Sequence, residues 1–187
     1  VYNLSPETEV IEADIRSGKV KFNEVTKIGP MEDGSVYYFR KTPEGLLPKA
    51  IRFEMENREV LRGKLKSLNP NSAEYDGAKV LETKYKFLAC SYYGATGYEN
   101  FRLVSKAVRK CITFLGREAN RANRDELQRQ GYGVVYGDTD SVFIQFSGSS
   151  SREGVVIEQV INLTLTKMAR RHGALFQIES KYETFCK

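Results

Sequence analysis

From residue 48 to residue 68, apolar residues are spaced mostly by three or four positions, with charged and polar residues between them. This spacing places one hydrophobic stripe along a helix, so a helix is predicted over 48–68. The turn sequence Asn69-Pro70-Asn71 follows, and Ser72 is suited to cap a second helix that runs to about residue 93. Two helices of similar length joined by a tight turn predict an antiparallel helical hairpin.

A third amphipathic helix is predicted over 101–129. Its apolar stripe consists of Val104, Val108, Cys111, Leu115, Ala119 and Ala122. Its other face carries Lys106, Arg109, Lys110, Arg117, Arg121, Arg124 and Arg129. Such a basic face either contacts the phosphates of a nucleic acid or is simply solvated.

Short segments rich in β-branched and aromatic residues are predicted as strands. These segments are 9–13, 19–22, 35–39, 133–136, 141–146 and 175–180, and a last helix is predicted over 155–172. This order of elements predicts an α+β fold, in which helices pack on an antiparallel sheet and the helical hairpin is an insertion.

Composition excludes several classes of protein. Of the 187 residues, 41% are apolar and 28% are charged, which is typical of a globular chain with a hydrophobic core. No stretch approaches the roughly 18 consecutive apolar residues of a membrane span. Three cysteines without a Cys-x-x-Cys pair, and a single histidine, disfavour a disulfide framework, a zinc site and histidine-based catalysis. The net charge of +5 is compatible with a polyanionic partner.

The sequence Tyr136-Gly137-Asp138-Thr139-Asp140-Ser141 lies between two predicted strands. Two carboxylates this close repel each other unless a cation lies between them, and such oxygen ligands suit Mg²⁺ or Mn²⁺. An ordinary polar turn is the alternative, because Asp and Gly are favoured in turns. A calcium loop is less suitable, because the residues that follow, Val142-Phe143-Ile144, supply no side-chain oxygen.

Two sets of side chains on the predicted hairpin are suited to a nucleotide. One face of the second helix presents Lys86, Cys90, Tyr93 and Gly97. It offers an ammonium group, an aromatic ring and an open backbone. Arg58 and Arg62, one turn apart on the first helix, are able to bind phosphate oxygens. The alternatives are a core-facing aromatic stripe with an extended lysine, and a solvated pair of arginines.

Together these motifs resemble those of the family B DNA polymerases. Residues 136–141 resemble the third polymerase motif, in the palm. Lys86-Phe87-Leu88-Ala89-Cys90-Ser91-Tyr92-Tyr93-Gly94 resembles the second motif, Lys-x-x-x-Asn-Ser-x-Tyr-Gly, at the base of the fingers. Arg58 and Arg62 resemble the basic residues of the opposite fingers helix. Further similarities lie at residues 3–8, which follow the first motif in the family, at 113–118 in a palm helix, and at 179–183 before the thumb.

The resemblance implies a partial polymerase palm with an inserted fingers hairpin. The implied parts are palm strands at 1–43, the fingers at 44–98, and a palm portion with the Asp-Thr-Asp hairpin at 99–187. The implied reaction is template-directed nucleotidyl transfer from a dNTP to a primer 3′-hydroxyl, with two Mg²⁺ ions, or Mn²⁺, as cofactors.

The resemblance also assigns roles to individual residues. Asp138 and Asp140 are the implied metal ligands, and together with Lys86 they are the implied catalytic residues. The implied nucleotide-binding residues are Arg58, Arg62, Lys86, Cys90, Tyr93 and Gly94. Tyr136 and Thr139 are expected to contact the DNA at the primer terminus.

Several features depart from the family pattern. Cys90 stands where the family usually has Asn, Arg62 where Lys is common, and Lys181 where an acidic residue is often found. The first-motif Asp, the exonuclease acids and the thumb are absent from this sequence. The chain therefore resembles the small subunit of the split family B polymerases of some archaea, although a trimmed single-chain polymerase would look the same.

The expected partners are primer–template DNA, a dNTP and a second polypeptide that carries the missing parts. The expected location is cytoplasmic and nucleoid-associated, without a membrane. Three other functions stay open: a catalytically silent palm and fingers scaffold, a different palm-type enzyme such as a nucleotidyl cyclase or reverse transcriptase, and a plain basic binding module.

Overall fold

The computed structural model describes residues 2–138 and 141–145. The chain divides into two compact units, Val1–Ile112 and Thr113–Lys187. The described residues combine helices with antiparallel strands. The predicted α+β class is therefore confirmed.

Several predictions fall outside the described residues. These are the roles of Thr139 and Asp140, the helix at 155–172, the strand at 175–180, and the departure at Lys181. The three-part division at 1–43, 44–98 and 99–187 also stays a prediction.

A three-stranded antiparallel sheet lies in the first unit. Its strands are β1 (Glu9–Val10), β2 (Val25–Ile28) and β3 (Tyr37–Arg40), in the order β1-β3-β2. Thr26 of β2 pairs with Phe39 of β3, and Phe39 is fully buried. The core beside the sheet consists of Val10, Val20, Val25 and Tyr38. The strand predicted at 35–39 is thus confirmed as β3.

The other two N-terminal strand predictions are wrong in part. Only the start of the segment 9–13 is extended, because helix α1 (Glu12–Arg16) begins directly after β1. Acidic residues in the first turn of α1 and an ion pair of 2.8 Å between Glu12 and Arg16 favour the helix. The segment 19–22 is not a strand: the chain turns at Gly18, where φ is 76°, and Val20 is buried outside any ladder.

The predicted helical hairpin is confirmed. It consists of α2 (Leu46–Leu65) and α3 (Ala73–Thr96), which pack against each other. Ser72 caps α3, because its Oγ accepts a hydrogen bond from the backbone N–H of Tyr75 at 3.1 Å. Pro48 lies in the first turn of α2, where the helix needs no N–H donor.

Asn3, Ser5 and Glu7 form a polar group that we term the N-terminal clamp. Their side-chain oxygens accept hydrogen bonds from the backbone N–H groups of Gly45, Leu47 and Leu46, respectively. Asn3 Oδ1 lies 2.7 Å from the Gly45 nitrogen, and Asn3 Nδ2 donates to the carbonyls of Arg40, at the end of β3, and Pro43. A Cβ atom at Gly45 would lie 2.5 Å from Ser5 Cβ, so the clamp leaves no room for a side chain there. The clamp therefore satisfies donors that a helix N-terminus leaves unpaired.

Helix α4 (Lys106–Arg129) and strands β4 (Gly133–Asp138) and β5 (Ser141–Gln145) follow. The helix predicted over 101–129 thus begins only at Lys106, and Val104 of the predicted apolar stripe lies before it and is exposed. Within α4 the stripe is confirmed at Val108 and Cys111, which are fully buried. In the second unit, Leu127 packs with Tyr132, Val134, Val142 and Ile144. Among the described residues, no helix has the length and apolar character needed to cross a bilayer.

Candidate active site

One face of α3 presents four of the predicted nucleotide-binding residues to solvent. Lys86, Cys90, Tyr93 and Gly94 are all exposed, and the spacing of the first three places them on one side of the helix. No atom would lie within 4 Å of a Cβ at Gly94, so the packing of the described residues does not require a glycine there. The alternative of a core-facing aromatic stripe is therefore wrong for this face.

Arg109 of α4 contacts Tyr93 at one side of this face. Its guanidinium carbon lies 5.7 Å from the centroid of the Tyr93 ring, a distance suited to a cation–π interaction of about 0.5–1 kcal/mol. A Cβ atom at Gly97 would lie 2.9 Å from the same guanidinium carbon. Gly97 thus leaves the space in which Arg109 reaches Tyr93. Sequence reasoning assigned Arg109 only to the basic face of its helix and missed this contact.

Arg58 lies between the two hairpin helices, where it forms an ion pair. Its Nε donates to Oε1 of Glu82 on α3 at 2.8 Å, and the side chains of Arg58 and Glu82 are 23% and 7% exposed. Lys79 Nζ lies 3.2 Å from the other oxygen of Glu82. The hydrogen bond from Arg58 holds the pKa of the Glu82 carboxyl below its usual range, although burial acts in the opposite direction. Glu82 was not singled out from the sequence.

Arg62 differs from Arg58 in its surroundings. Its side chain is about half exposed, and its terminal nitrogen lies 3.7 Å from Glu59 one turn earlier on α2. A contact of this kind at a solvated surface contributes little. The two arginines therefore do not form an equivalent pair: Arg58 is oriented by a buried partner, whereas Arg62 is only loosely held.

A second polar contact joins the hairpin helices. The Tyr92 hydroxyl donates to Oε1 of Glu54 at 3.3 Å, and Glu54 is 7% exposed. Burial, together with the Glu54 carboxylate, raises the pKa of Tyr92. Oε2 of Glu54 has no partner among the described residues. Buried polar contacts have geometric requirements that apolar contacts lack, so they favour one register of the two helices.

The two strands predicted on either side of the Asp-Thr-Asp motif form an antiparallel hairpin in the second unit. Strands β4 and β5 pair from Gly133 to the last pair, Asp138 with Ser141, with an irregularity between Val134 and Tyr136. The partly buried Tyr136 ring lies 5.6 Å from the ring of Phe143 on β5. Asp138 therefore ends β4, whereas Thr139 and Asp140 lie outside the described residues.

The basic face of α4 is largely paired with neighbouring carboxylates. Ion pairs join Lys110 to Asp33, Arg121 to Glu118, Arg124 to Asp125, and Arg129 to Glu126. These pairs are exposed, and such pairs are the usual arrangement of a solvated helix face. They favour the solvated alternative over a dedicated phosphate-binding surface. Within the described residues, no group of three or more side chains suited to a metal ion is found.

Known proteins share this arrangement of elements. Residues 1–183 match the sequence profile of DNA polymerase family B. The chain is 29% identical to a DNA polymerase of Archaeoglobus fulgidus over 152 residues, which cover 81% of this chain and 18% of that protein. It is 31% identical to DNA polymerase 2 of Aeropyrum pernix over 144 residues, which cover 77% of this chain and 17% of that protein.

A solved structure is also similar. The family B DNA polymerase from the hyperthermophilic archaeon Pyrobaculum calidifontis superimposes with a TM-score of 0.68 at 28% identity, over 97% of this chain and 21% of that chain. The chain therefore spans about a fifth of the length of these three relatives. The profile match extends over nearly the whole sequence. The chain belongs to DNA polymerase family B.

Proposed function

We propose that the chain forms the fingers and part of the palm of a DNA-directed DNA polymerase. The enzyme transfers a nucleotide from a dNTP to the 3′-hydroxyl of a primer. The observation that carries this proposal is the exposed face of α3, where Lys86, Cys90, Tyr93 and Gly94 lie together in a chain of this family. That face combines a cation, an aromatic ring and an accessible backbone, which are suited to phosphate, base and close approach, respectively.

The triphosphate is bound by cations of both hairpin helices. Arg58 and Arg62 bind oxygens of the β- and γ-phosphates through their guanidinium groups, and Lys86 binds them as a compact charge. The exposed Lys86 ammonium is also able to donate a proton to the leaving pyrophosphate. Tyr93 and the Gly94 backbone lie under the nascent base pair, and Arg109 keeps the Tyr93 ring in place. Tyr136 and Thr139 flank the primer terminus.

Asp138 and Asp140 would hold divalent metal ions in this proposal. The donor set fits, because two carboxylates separated by one residue in the sequence are hard oxygen ligands suited to Mg²⁺ or Mn²⁺. When bound, such ions lower the pKa of the primer hydroxyl and offset charge on the leaving pyrophosphate. The carboxylates would bind and orient the ions, and their negative charge would balance part of the positive charge of the ions.

The proposed activity belongs to a larger enzyme. Because the chain spans about a fifth of its relatives, the first-motif Asp and the remaining domains must be present alongside it. They lie either on a second polypeptide, as in the split polymerases, or on a longer form of the same chain. Primer–template DNA and a dNTP are the substrates in both cases.

Primer extension by an assembly that contains this chain and the remaining parts tests the proposal. We expect Asp140→Ala to reduce the extension rate at least about a hundredfold, because a charge-stabilising group of the active site is lost. We expect Gly94→Ala to raise the KM for the dNTP roughly tenfold, because the added methyl group prevents the nucleotide from lying close to the backbone. Gly77→Ala is the matched control, because Gly77 is also exposed in α3 and also has open space around its Cβ position, and its KM should not change.

The same experiment separates the enzyme from a catalytically silent scaffold. The scaffold is favoured by two departures from the family pattern: Cys90 stands where the family usually has Asn, and Lys181 stands where it often has an acidic residue. An assembly that forms and binds primer–template DNA but does not extend the primer, with any dNTP and with Mg²⁺ or Mn²⁺, would establish the scaffold and exclude the polymerase.

A further inference from the structure

The most unusual feature of the hairpin is an ion pair inside it. Glu82 is buried between α2 and α3, and both of its carboxylate oxygens have cationic partners, Arg58 at 2.8 Å and Lys79 at 3.2 Å. Other ion pairs of the hairpin, such as Lys64 with Glu74 at 3.0 Å, are exposed at both ends. The buried pair is thus distinct from the surface pairs around it.

Stability alone does not account for such a pair. Removing a carboxylate and a guanidinium from water carries a desolvation penalty, and well-packed apolar residues of similar size often stabilise a protein at least as well. What a buried pair supplies instead is a defined orientation of its charged groups. The orientation of Arg58 matters here because the proposed function assigns it to the triphosphate.

The ion pair with Glu82 leaves the two terminal nitrogens of Arg58 available to bind a ligand. A guanidinium group has five N–H donors, and the hydrogen bond to Glu82 uses the one on Nε. The four donors on the two terminal nitrogens form no other bond among the described residues. A side-chain exposure of 23% shows that part of the group reaches solvent. Lys79 binds the second oxygen of Glu82, which restricts rotation of the carboxylate away from Arg58.

We propose that Glu82 is a positioning residue for nucleotide binding, which holds the Arg58 guanidinium by Nε so that its terminal nitrogens face the triphosphate. This inference rests on the proposed function, because it acts through Arg58. Orienting a charged group before the ligand arrives reduces the entropy that is lost on binding. Glu82 itself touches no substrate in this proposal.

A double-mutant cycle in the assembled polymerase tests the inference. The KM for the dNTP and kcat are measured for the wild type, Glu82→Ala, Arg58→Ala and the double variant. We expect Glu82→Ala to raise KM about tenfold with little change in kcat, since pre-orientation of a binding group is lost. In the Arg58→Ala background the same substitution should change KM by less than about twofold, because the group that Glu82 orients is already absent.

Two further variants separate positioning from a structural role. Glu82→Gln keeps an oxygen that accepts from Nε, so we expect it to restore most of the loss in KM. Glu74→Gln removes the exposed interhelix pair with Lys64 and should leave KM unchanged. Thermal unfolding of each variant is followed in parallel, because a merely destabilised hairpin would raise KM equally in both Arg58 backgrounds and would overturn the inference.

The remaining outcomes are equally decisive. A fall in KM for Glu82→Ala would mean that Glu82 competes with the nucleotide for Arg58, which is the opposite of positioning. An unchanged KM for Glu82→Ala, with a raised KM for Arg58→Ala, would overturn the inference alone and leave the proposed function intact. An unchanged KM for Arg58→Ala in an active assembly would remove both Arg58 from the phosphate site and Glu82 from its role.

Discussion

Cys90 provides a direct chemical probe of the proposed nucleotide site at the scale of a single residue. Its thiol is exposed on the same face of α3 as Lys86 and Tyr93. Cys111, by contrast, is buried, and burial raises the pKa of its thiol to about 12, which keeps it protonated and unreactive at neutral pH. Alkylation of Cys90 is therefore distinguishable from alkylation of Cys111.

We predict that a matching dNTP protects Cys90 from alkylation in the assembled polymerase bound to primer–template DNA. At a dNTP concentration of ten times its Kd, the rate should fall roughly tenfold, because only the unoccupied fraction reacts. Peptide-resolved mass spectrometry after iodoacetamide treatment measures the rate at Cys90 separately from the other cysteines. Equal protection by a mismatched dNTP would show that binding at this face does not depend on the template, and no protection at all would show that the face does not bind the nucleotide.

The residues of this site differ in how far the sequence could predict them. Lys86, Cys90 and Tyr93 share a face because the helical repeat fixes their relative directions, and local spacing is visible in the sequence. Glu82 and Arg109 were missed because their roles depend on which residues of another helix lie opposite them. That pairing is set by the register of packed helices, which no local pattern contains.

At the scale of elements, the N-terminal clamp connects the start of the chain to the helical hairpin of α2 and α3. Asn3 is buried and forms three hydrogen bonds, one of them to the Gly45 N–H at the start of α2. Sequence reasoning identified residues 3–8 only by their resemblance to a family motif. The physical function of the segment, which is to cap a distant helix, became visible only in the structure.

We predict that Asn3→Ala destabilises the chain by about 2–3 kcal/mol, because a helix cap is lost and buried backbone groups are left unpaired. Urea unfolding followed by circular dichroism measures the loss, and hydrogen exchange at the Gly45 amide should accelerate. Asn71→Ala is the control: Asn71 is exposed, and its hydrogen bond to Asn69 uses the backbone N–H, which alanine keeps. A loss below about 0.5 kcal/mol for Asn3→Ala, equal to that of an ordinary surface substitution, would contradict the capping role.

Helices were predicted more closely than strands for a physical reason. The hairpin helices span Leu46–Leu65 and Ala73–Thr96, within a few residues of their predicted bounds. Long amphipathic helices repeat their pattern over many turns, so an error at one position changes little. The strands β1 and β2 have two and four residues and are stabilised by pairing with β3, a contact between distant parts of the sequence. Short strands that depend on a partner distant in the sequence show too few residues of alternating hydrophobicity to be predicted from their own sequence.

At the scale of the whole molecule, the two long packed helices of the hairpin are suited to rotate as one rigid body. Contacts at its base include the hydrogen bonds of the clamp to the start of α2, a hydrogen bond of 3.0 Å from the Ser105 N–H to the Thr96 carbonyl, and the packing of Arg109 against α3. Gly94 lies in the last turn of α3, close to these contacts. We therefore expect any rotation of the hairpin to take place near this base. With 24 residues, α3 is about 36 Å long, so a rotation of about 10° moves its far end by roughly 6 Å.

We predict that a matching dNTP makes the hairpin rotate in the assembled polymerase, because the triphosphate attracts Arg58, Arg62 and Lys86 together. A dye attached at residue 71, in the exposed turn between α2 and α3, and a second dye on the template DNA report the movement by energy transfer. A primer that ends in a dideoxynucleotide prevents extension, so the change reports binding alone. A matching dNTP should change the transfer efficiency by the equivalent of several ångströms, and a mismatched dNTP should change it much less, because only a correct base pair fits beside Tyr93. Identical efficiencies with and without the matching dNTP would mean that the hairpin is fixed, and that selection of the nucleotide takes place on a preformed surface.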